Sequence, residues 1–272
     1  MAGGPLTGPE PIQDMSHTVA FIQARMSSSR LPGKVLLPLA GRPLVAYMAE
    51  RARRATTLDA VVIVTSTDPS DDALARAARA EGLPCFRGDL TDVLRRYADA
   101  TRAHDATTVV RLTGDCPLID PAVIDAVVHA LQTRGVDYAS NVDPPSFPDG
   151  LDVECFTRAA LERADAEARR GPEREHVTLW MRDAASGLTR ANVRAPADLS
   201  ALRLTVDYPD DLQVVRTIVD ALESHPACAG RTFDLYDILR VLDERPEIFA
   251  TNSHARNEGL TKSLAEEALA RS

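Results

Sequence analysis

Residues 18–34 read TVAFIQARMSSSRLPGK. The apolar, partly β-branched run at 18–23 predicts a buried strand, and it passes without a turn signal into three serines, two arginines and a Gly-Lys pair. A loop that only reverses the chain needs Gly, Pro, Asn or Asp and has no use for converging cations. Downstream, the short runs AVVIVT at 60–65, PCFR at 84–87 and TTVVRL at 107–112 repeat the strand signal. Amphipathic stretches at about 44–55, 71–81, 90–104 and 121–133 separate these runs or follow the last of them. Continuous apolar strands alternating with helices predict an α/β doubly wound fold, a mostly parallel central sheet with helices on both faces. In such sheets ligands bind beyond the carboxyl ends of the strands, where the 24–34 loop begins.

Beyond 134 the rhythm changes. NVDPPSFPDGLDVECF at 141–156 is rich in Pro and Asp and has no helical period, which reads as an inserted, substrate-facing lobe. Helices are expected at 158–169 and 173–183, a strand LRLTV at 202–206 returning to the sheet, then helices at 210–222 and 233–243 and a frayed helix at 263–272. The expected division is a disordered leader at 1–16, one domain at 17–222 with the insertion at about 136–200, and a helical extension at 223–272.

The chain has 272 residues, 44% of them hydrophobic, enough for a sizeable core. Its net charge of -9 argues against a general nucleic-acid or membrane-surface binder, and no apolar stretch approaches the ~20 residues of a membrane span. The leader lacks the basic and apolar segments of a signal peptide. Cys85, Cys116, Cys155 and Cys228 lie about thirty residues or more apart, unlike zinc or redox motifs, and read as reduced thiols of a cytoplasmic protein.

Placed at a strand end, Arg25, Arg30 and Lys34 are expected to converge on phosphates, with backbone N–H groups of Ser27, Ser28, Ser29 and Gly33 forming an anion nest. The loop is not a Walker sequence, since Ser28 and Val35 stand where Gly and Ser/Thr are required. A solvated basic turn is the plainer alternative, and the strand-end position weighs against it. RLTGDCPLID at 111–120 also follows a strand, and Gly114 permits close backbone approach beside Asp115. One or two carboxylates plus phosphate oxygens suffice for Mg²⁺, and Asp207, closing LRLTVD, is the natural second. Asp120 reads as a helix cap, and Asp210 and Asp211 as acids serving a helix dipole.

IQARMSSSRLPGK, AGRPLVAYMAERA, VVIVTSTDPSD, LTGDCPLID and LTVDYPDDL together resemble the cytidylyltransferases that activate acidic sugars, including the 3-deoxy-manno-octulosonate and acylneuraminate enzymes. PDGLDVECF, EREHVTLWMR and the tail through Asn252 bring the resemblance nearest the spore coat polysaccharide branch. It implies a Rossmann-like nucleotide-diphospho-sugar transferase fold with a small substrate and dimerisation lobe. It also implies transfer of CMP from CTP to a sugar acid or related hydroxyl acceptor, with release of pyrophosphate, in glycan or secondary-metabolite assembly. Residue by residue, Arg25 and Lys34 bind the CTP phosphates as the catalytic cations, Arg30 assists, and Asp115 and Asp207 hold Mg²⁺. Backbone groups around Ala24, Thr65 and Ser66 receive the cytosine, with Thr113 and Gly114 completing the nucleotide site. A homodimer is expected.

For the acceptor, Asp152, Glu154, Arg174 and His176 are the candidates. Where the octulosonate enzymes carry Ser-Gly-Thr-Glu-Arg, this chain reads GDLTDVLRRYADA at 88–100, so the identity of the sugar does not carry over. Arg95 and Arg96 there read equally as a solvated helix face or as substrate contacts. His176 fits packing or capping better than base catalysis, and Trp180, on the same helix face, fits the core or a subunit contact. Two other functions stand beside this one. A glycosyltransferase of the same fold would place its metal on a DxD motif, where this chain has GDCP. A non-catalytic nucleotide-binding subunit would not need Arg25, Lys34, Asp115 and Asp207 together.

Overall fold

The computed structural model describes residues 16–228, 231–251, 254, 256 and 258–271, so the expected leader lies outside the described residues except for Ser16. In chain order come β1 (Thr18–Gln23), the short strands β2 (Pro38–Leu39) and β3 (Arg42–Pro43), α1 (Leu44–Ala52), β4 (Ala60–Ser66), α2 (Asp72–Ala80), β5 (Cys85–Gly88), α3 (Val93–Ala103), β6 (Thr108–Thr113) and α4 (Pro121–Arg134). They are followed by β7 (Tyr138–Ser140), β8 (Glu154–Thr157), α5 (Arg158–Glu167), α6 (Gly171–Glu175), α7 (Leu179–Arg182) and β9 (Arg190–Asn192). The chain continues through α8 (Pro209–Glu223), α9 (Leu235–Glu244) and α10 (Glu258–Arg271).

Seven strands form one sheet in the order β5-β4-β1-β6-β8-β7-β9. β5, β4, β1 and β6 are parallel, β8 runs antiparallel to both β6 and β7, and β9 is parallel to β7. The register puts Ile22 opposite Ile63 on one side and Leu112 on the other, so the apolar strand centres line up. Because successive side chains alternate faces, Ala20 and Ile22 pack with Val45, Met48 and Val127 of α1 and α4. Val19 and Phe21 pack with Leu94, Tyr97 and Leu161 of α3 and α5 on the opposite face. β1 thus reads apolar throughout because both its faces are covered. The expected mostly parallel, doubly covered sheet is what the chain forms.

The expected strand at 202–206 is not part of the sheet. It crosses the 149–151 loop, where Arg203 makes an isolated bridge to Asp149. Leu204 N donates to Asp149 O at 2.6 Å and Val206 N to Asp115 O at 2.8 Å. The alternating pattern of LRLTV serves a different partner: Leu204 and Val206 bury against Val215, Ile218 and Ile238 of α8 and α9. Gly150, at φ 105°, allows this crossing, since a Cβ there would stand 2.5 Å from the Leu204 carbonyl carbon.

The single helix expected at 173–183 is broken into α6 and α7. Val177 at φ 54° interrupts it, a strained conformation for a β-branched residue, with its side chain fully buried in the core cluster of Phe21 and Tyr97. The Pro-rich segment is irregular as expected, but β8 begins within its last residues and pairs beside β6. The terminal helix α10 starts before the expected 263.

Candidate functional site

The loop after β1 folds back on itself: Met26 O accepts from both Ser28 N and Gly33 N, each at 3.0 Å, so two of the four N–H groups expected to form an anion nest are used inside the loop. Gly33 takes φ 71° at the turn into Lys34. The loop is stapled to the end of β4 by buried Asp71, whose Oδ1 accepts from Met26 N at 2.7 Å and whose Oδ2 accepts from the Ser66 hydroxyl at 2.5 Å. On the other side Gly114 N donates to Gln23 O at 2.8 Å. A Cβ at Gly114 would lie 2.9 Å from that of Ala24, so only glycine lets the loops after β1 and β6 touch.

Between them opens a cleft of about 620 Å³ lined by Ala24, Arg25, Ser28, Ser29, Arg30, Lys34, Thr113, Gly114, Asp115 and Asp207, all expected nucleotide or metal residues. Ser27 is exposed on the loop and does not line the cleft, and Gly33 turns the chain into Lys34. Thr65 and Ser66, expected at the nucleotide, are fully buried and line neither this cleft nor the cavity beside it. Arg25 is exposed and makes no hydrogen bond or ion pair among the described residues, so its charge is available to a ligand. Arg96 is no solvated face: it is buried, lines the cleft and donates to Asp89 O and Leu90 O. Arg95, by contrast, pairs with Asp99 on the exposed side of α3.

Lys34 is the keystone of the charge arrangement. Its buried ammonium donates to Asp115 Oδ2 at 2.9 Å, Asp207 Oδ1 at 2.8 Å and Val206 O at 2.8 Å, which uses all three of its protons. Burial disfavours the charged lysine, but Asp115 and Asp207 outweigh it and raise its pKa. Burial likewise pushes both carboxylates up, while the Lys34 charge more than offsets this and holds each below the usual carboxylate range. Arg30 joins at 2.5 Å from Asp207 Oδ1, and Arg203 holds Asp207 Oδ2 at 3.1 Å while pairing with Asp149 and Asp211.

Asp115 and Asp207 are hard oxygen donors of the kind Mg²⁺ takes; both face the Lys34 ammonium at the cleft floor, and Asp207 also holds Arg30 and Arg203. Lys34 takes Asp115 Oδ2, and Cys116 Sγ approaches Oδ1 at 3.5 Å.

A second cavity of about 230 Å³ adjoins the first and shares Arg30, Thr113, Asp115, His176, Asp207 and Glu258 with it. Its remaining lining includes Asp149, Asp152, Glu154 and two arginines, Arg111 and Arg182. Burial pushes Asp152 up to about 7 despite its pairing with Arg256, with Asp149 and Glu154 adding repulsion. His176 bonds Ser263 of α10 at 3.0 Å, and its pKa is lowered by burial. Arg174, the other expected acceptor residue, points elsewhere: it grips Asp92 and Asp165 at 2.7 Å each and lines neither cavity. Trp180 is partly buried against the α5 side of the core, with the Arg163 guanidinium 5.7 Å from its ring.

Sequence reasoning did not single out Asp71, Arg111, Asp149, Arg182, Arg203 or the α10 residues. The signal was present for two of them: Arg111 in VVRLT and Arg203 in LRLTV are charges inside apolar runs, which a folded chain retains only with partners.

No described helix is long and apolar enough to cross a membrane. The profile of the family described as Cytidylyltransferase matches residues 19–212. A spore coat polysaccharide biosynthesis protein of Bacillus subtilis is 29% identical over 86% of this chain and 97% of its own length. A 3-deoxy-manno-octulosonate cytidylyltransferase of Anaeromyxobacter dehalogenans is 32% identical over 76% of this chain and 99% of its own. The solved structure of a cytidylyltransferase from Leptospira borgpetersenii superposes with a TM-score of 0.80 at 30% identity, covering 88% of this chain and 99% of that one. The strand-end cleft and these likenesses agree, and the chain belongs to the cytidylyltransferase family of enzymes.

Proposed function

We propose that this protein transfers CMP from CTP to a hydroxyl of a sugar acid or related acceptor, releasing pyrophosphate, with Mg²⁺ held by Asp115 and Asp207. The observation that carries this reading is the shared wall of the two cavities. The larger one presents Arg25 and Arg30 on the loop after β1, where a triphosphate is neutralised. The smaller one meets it at Asp115 and Asp207, so an acceptor hydroxyl seated there faces the α-phosphate. Lys34 keeps the two carboxylates together and ionised. Mg²⁺, when bound, supplies neutralisation of the phosphate oxygens as charge builds on them. The backbone at Gln23 and Ala24, where β1 ends in the cleft, would receive the base.

In this reading residues 136–200 form the acceptor-side lobe of a 17–222 domain, 223–272 an extension, and the protein acts as a homodimer. A cytoplasmic location suits its four unpaired thiols. The expected pathway is glycan or secondary-metabolite assembly. The test is the melting temperature with each of the four nucleoside triphosphates, with and without Mg²⁺, because a ligand of the folded state alone raises it. A shift selective for CTP with Mg²⁺ is expected. No triphosphate shift but a shift with a nucleotide-diphospho-sugar would overturn the reading in favour of glycosyl transfer.

A further inference from the structure

The smaller cavity carries both signs of charge. Glu154 is saturated: Oε1 accepts from the Tyr138 hydroxyl at 2.6 Å and the Thr178 hydroxyl at 2.7 Å, and Oε2 accepts from Arg111. Arg182, in the same cavity wall, feels the Glu154 charge but its Nε donates no hydrogen bond to it. Its Nε is buried and has no hydrogen-bond partner among the described residues. The carboxylate oxygen it pairs with, Oδ2 of Asp143, is 3.7 Å away on a half-exposed side chain. A buried guanidinium N–H without an acceptor has lost its water and gained nothing in exchange, a cost that a ligand oxygen relieves. Asp115 and Asp207 lie on the wall shared with the larger cleft, which Arg182 does not line, and with Asp149 and Asp152 they repel an anion and suit a hydroxyl.

The break between α6 and α7 sets this arrangement. With Val177 at φ 54° the chain turns, so Thr178 reaches Glu154 and α7 carries Arg182 to the cavity wall.

We propose that Arg182 binds an anionic group of the acceptor, a carboxylate in the first instance, and so orients the acceptor with its acid end at α7 and its reacting hydroxyl at Asp115 and Asp207. This rests on the cytidylyltransferase reading and deepens it, making Arg182 a residue that selects acidic acceptors over neutral ones. The planar fork of arginine suits two carboxylate oxygens, which lysine matches only as a point charge.

The experiment is pyrophosphate release from CTP and Mg²⁺ with a panel of sugar acids, each paired with the neutral primary amide of the same sugar, by wild-type protein, Arg182→Gln and Arg182→Lys. Wild type is expected to prefer the acid. Arg182→Gln should raise the KM for the acid roughly 10- to 100-fold, the scale of a lost charged hydrogen bond, and so collapse the preference for acid over amide. Arg182→Lys should recover part of it, and the KM for CTP should stay as in wild type in both variants. An undiminished preference in Arg182→Gln, or equal losses on acid and amide, overturns the proposal; so does a wild-type preference for the amide. If wild type turns over no member of the panel, the sugar-acid reading fails and takes the proposal with it, while a CTP-selective melting shift would leave the nucleotide half of that reading standing.

Discussion

Lys34 shows what one buried charge does for the site. It lies 7% exposed between two carboxylates that would repel each other without it. Lys34→Ala is expected to lower turnover about a hundredfold or more, the scale of losing one preorganised electrostatic contact. It should also destabilise the fold by about 3 kcal/mol, because Asp115 loses its ion-pair partner and faces Asp207, which keeps Arg30 and Arg203. Steady-state kinetics and chemical denaturation measure the two effects separately, and near-normal activity would remove Lys34 from the catalytic assignment. The structure refines the expectation for this residue: all three of its protons are spent on the protein, so its contact with phosphate requires an exchange of partners, whereas Arg25 is already available.

At the scale of elements, the site depends on two close approaches and one polar clasp. The crossing of Gly150 over residues 204–205 sets Asp149, Asp152 and Arg203 in place, and a side chain at that φ has neither the space nor the conformation. Gly150→Ala is therefore expected to cost at least about 2 kcal/mol, read from denaturation midpoints; an unchanged midpoint would mean that the segment is free to slide. The clasp is α10, which holds the cleft rim largely through polar contacts. Glu258 reaches Arg30 at 2.9 Å and the Tyr208 hydroxyl at 2.8 Å, Ser263 reaches His176 and Glu175, and Glu267 pairs with Arg170. Glu258 places a carboxylate on the cation assigned to phosphate. Glu258→Gln is expected to strengthen CTP binding about twofold to fivefold, the worth of a part-exposed charge pair, by calorimetric titration. Weaker binding would mean that α10 helps to hold the nucleotide.

At the scale of the whole molecule, the ion-paired carboxylates of the two cavities set the response to acid. Asp115, Asp207 and Glu154 are each raised by burial but lowered further by Lys34 or Arg111, so their folded-state pKa values lie below the unfolded ones. For a depressed carboxylate the stabilisation is complete above the unfolded value and is lost as pH falls through the folded one. The melting temperature is thus expected to hold from pH 7 to about 5 and to fall steeply below about 4, where unfolded carboxylates take up protons. A flat profile down to pH 3 would show that these ion pairs contribute nothing net.

The parallel strands β5, β4, β1 and β6, the helices between them and the position of the first loop were legible in the sequence, while β7, β8 and β9 were not. Short unbroken apolar runs such as TVAFI and AVVIVT, rich in β-branched residues, fit strands covered on both faces, and a cationic loop at such a strand's end has a fixed address in an α/β fold. Asp115 and Asp207 were legible for the same reason, each closing an apolar run. What tertiary structure decided lies where local pattern and long-range partner disagree. LRLTV alternates like a sheet strand yet is claimed by the helices α8 and α9, and the 173–183 periodicity continues through a break imposed by burying Val177. Arg174 and Arg182 are indistinguishable in sequence, two arginines on one apparent helix. Only the fold spends the first on Asp92 and Asp165 and carries the second, its Nε unpartnered among the described residues, into the wall of the smaller cavity, because a charge's partner is set by neighbours distant in the chain.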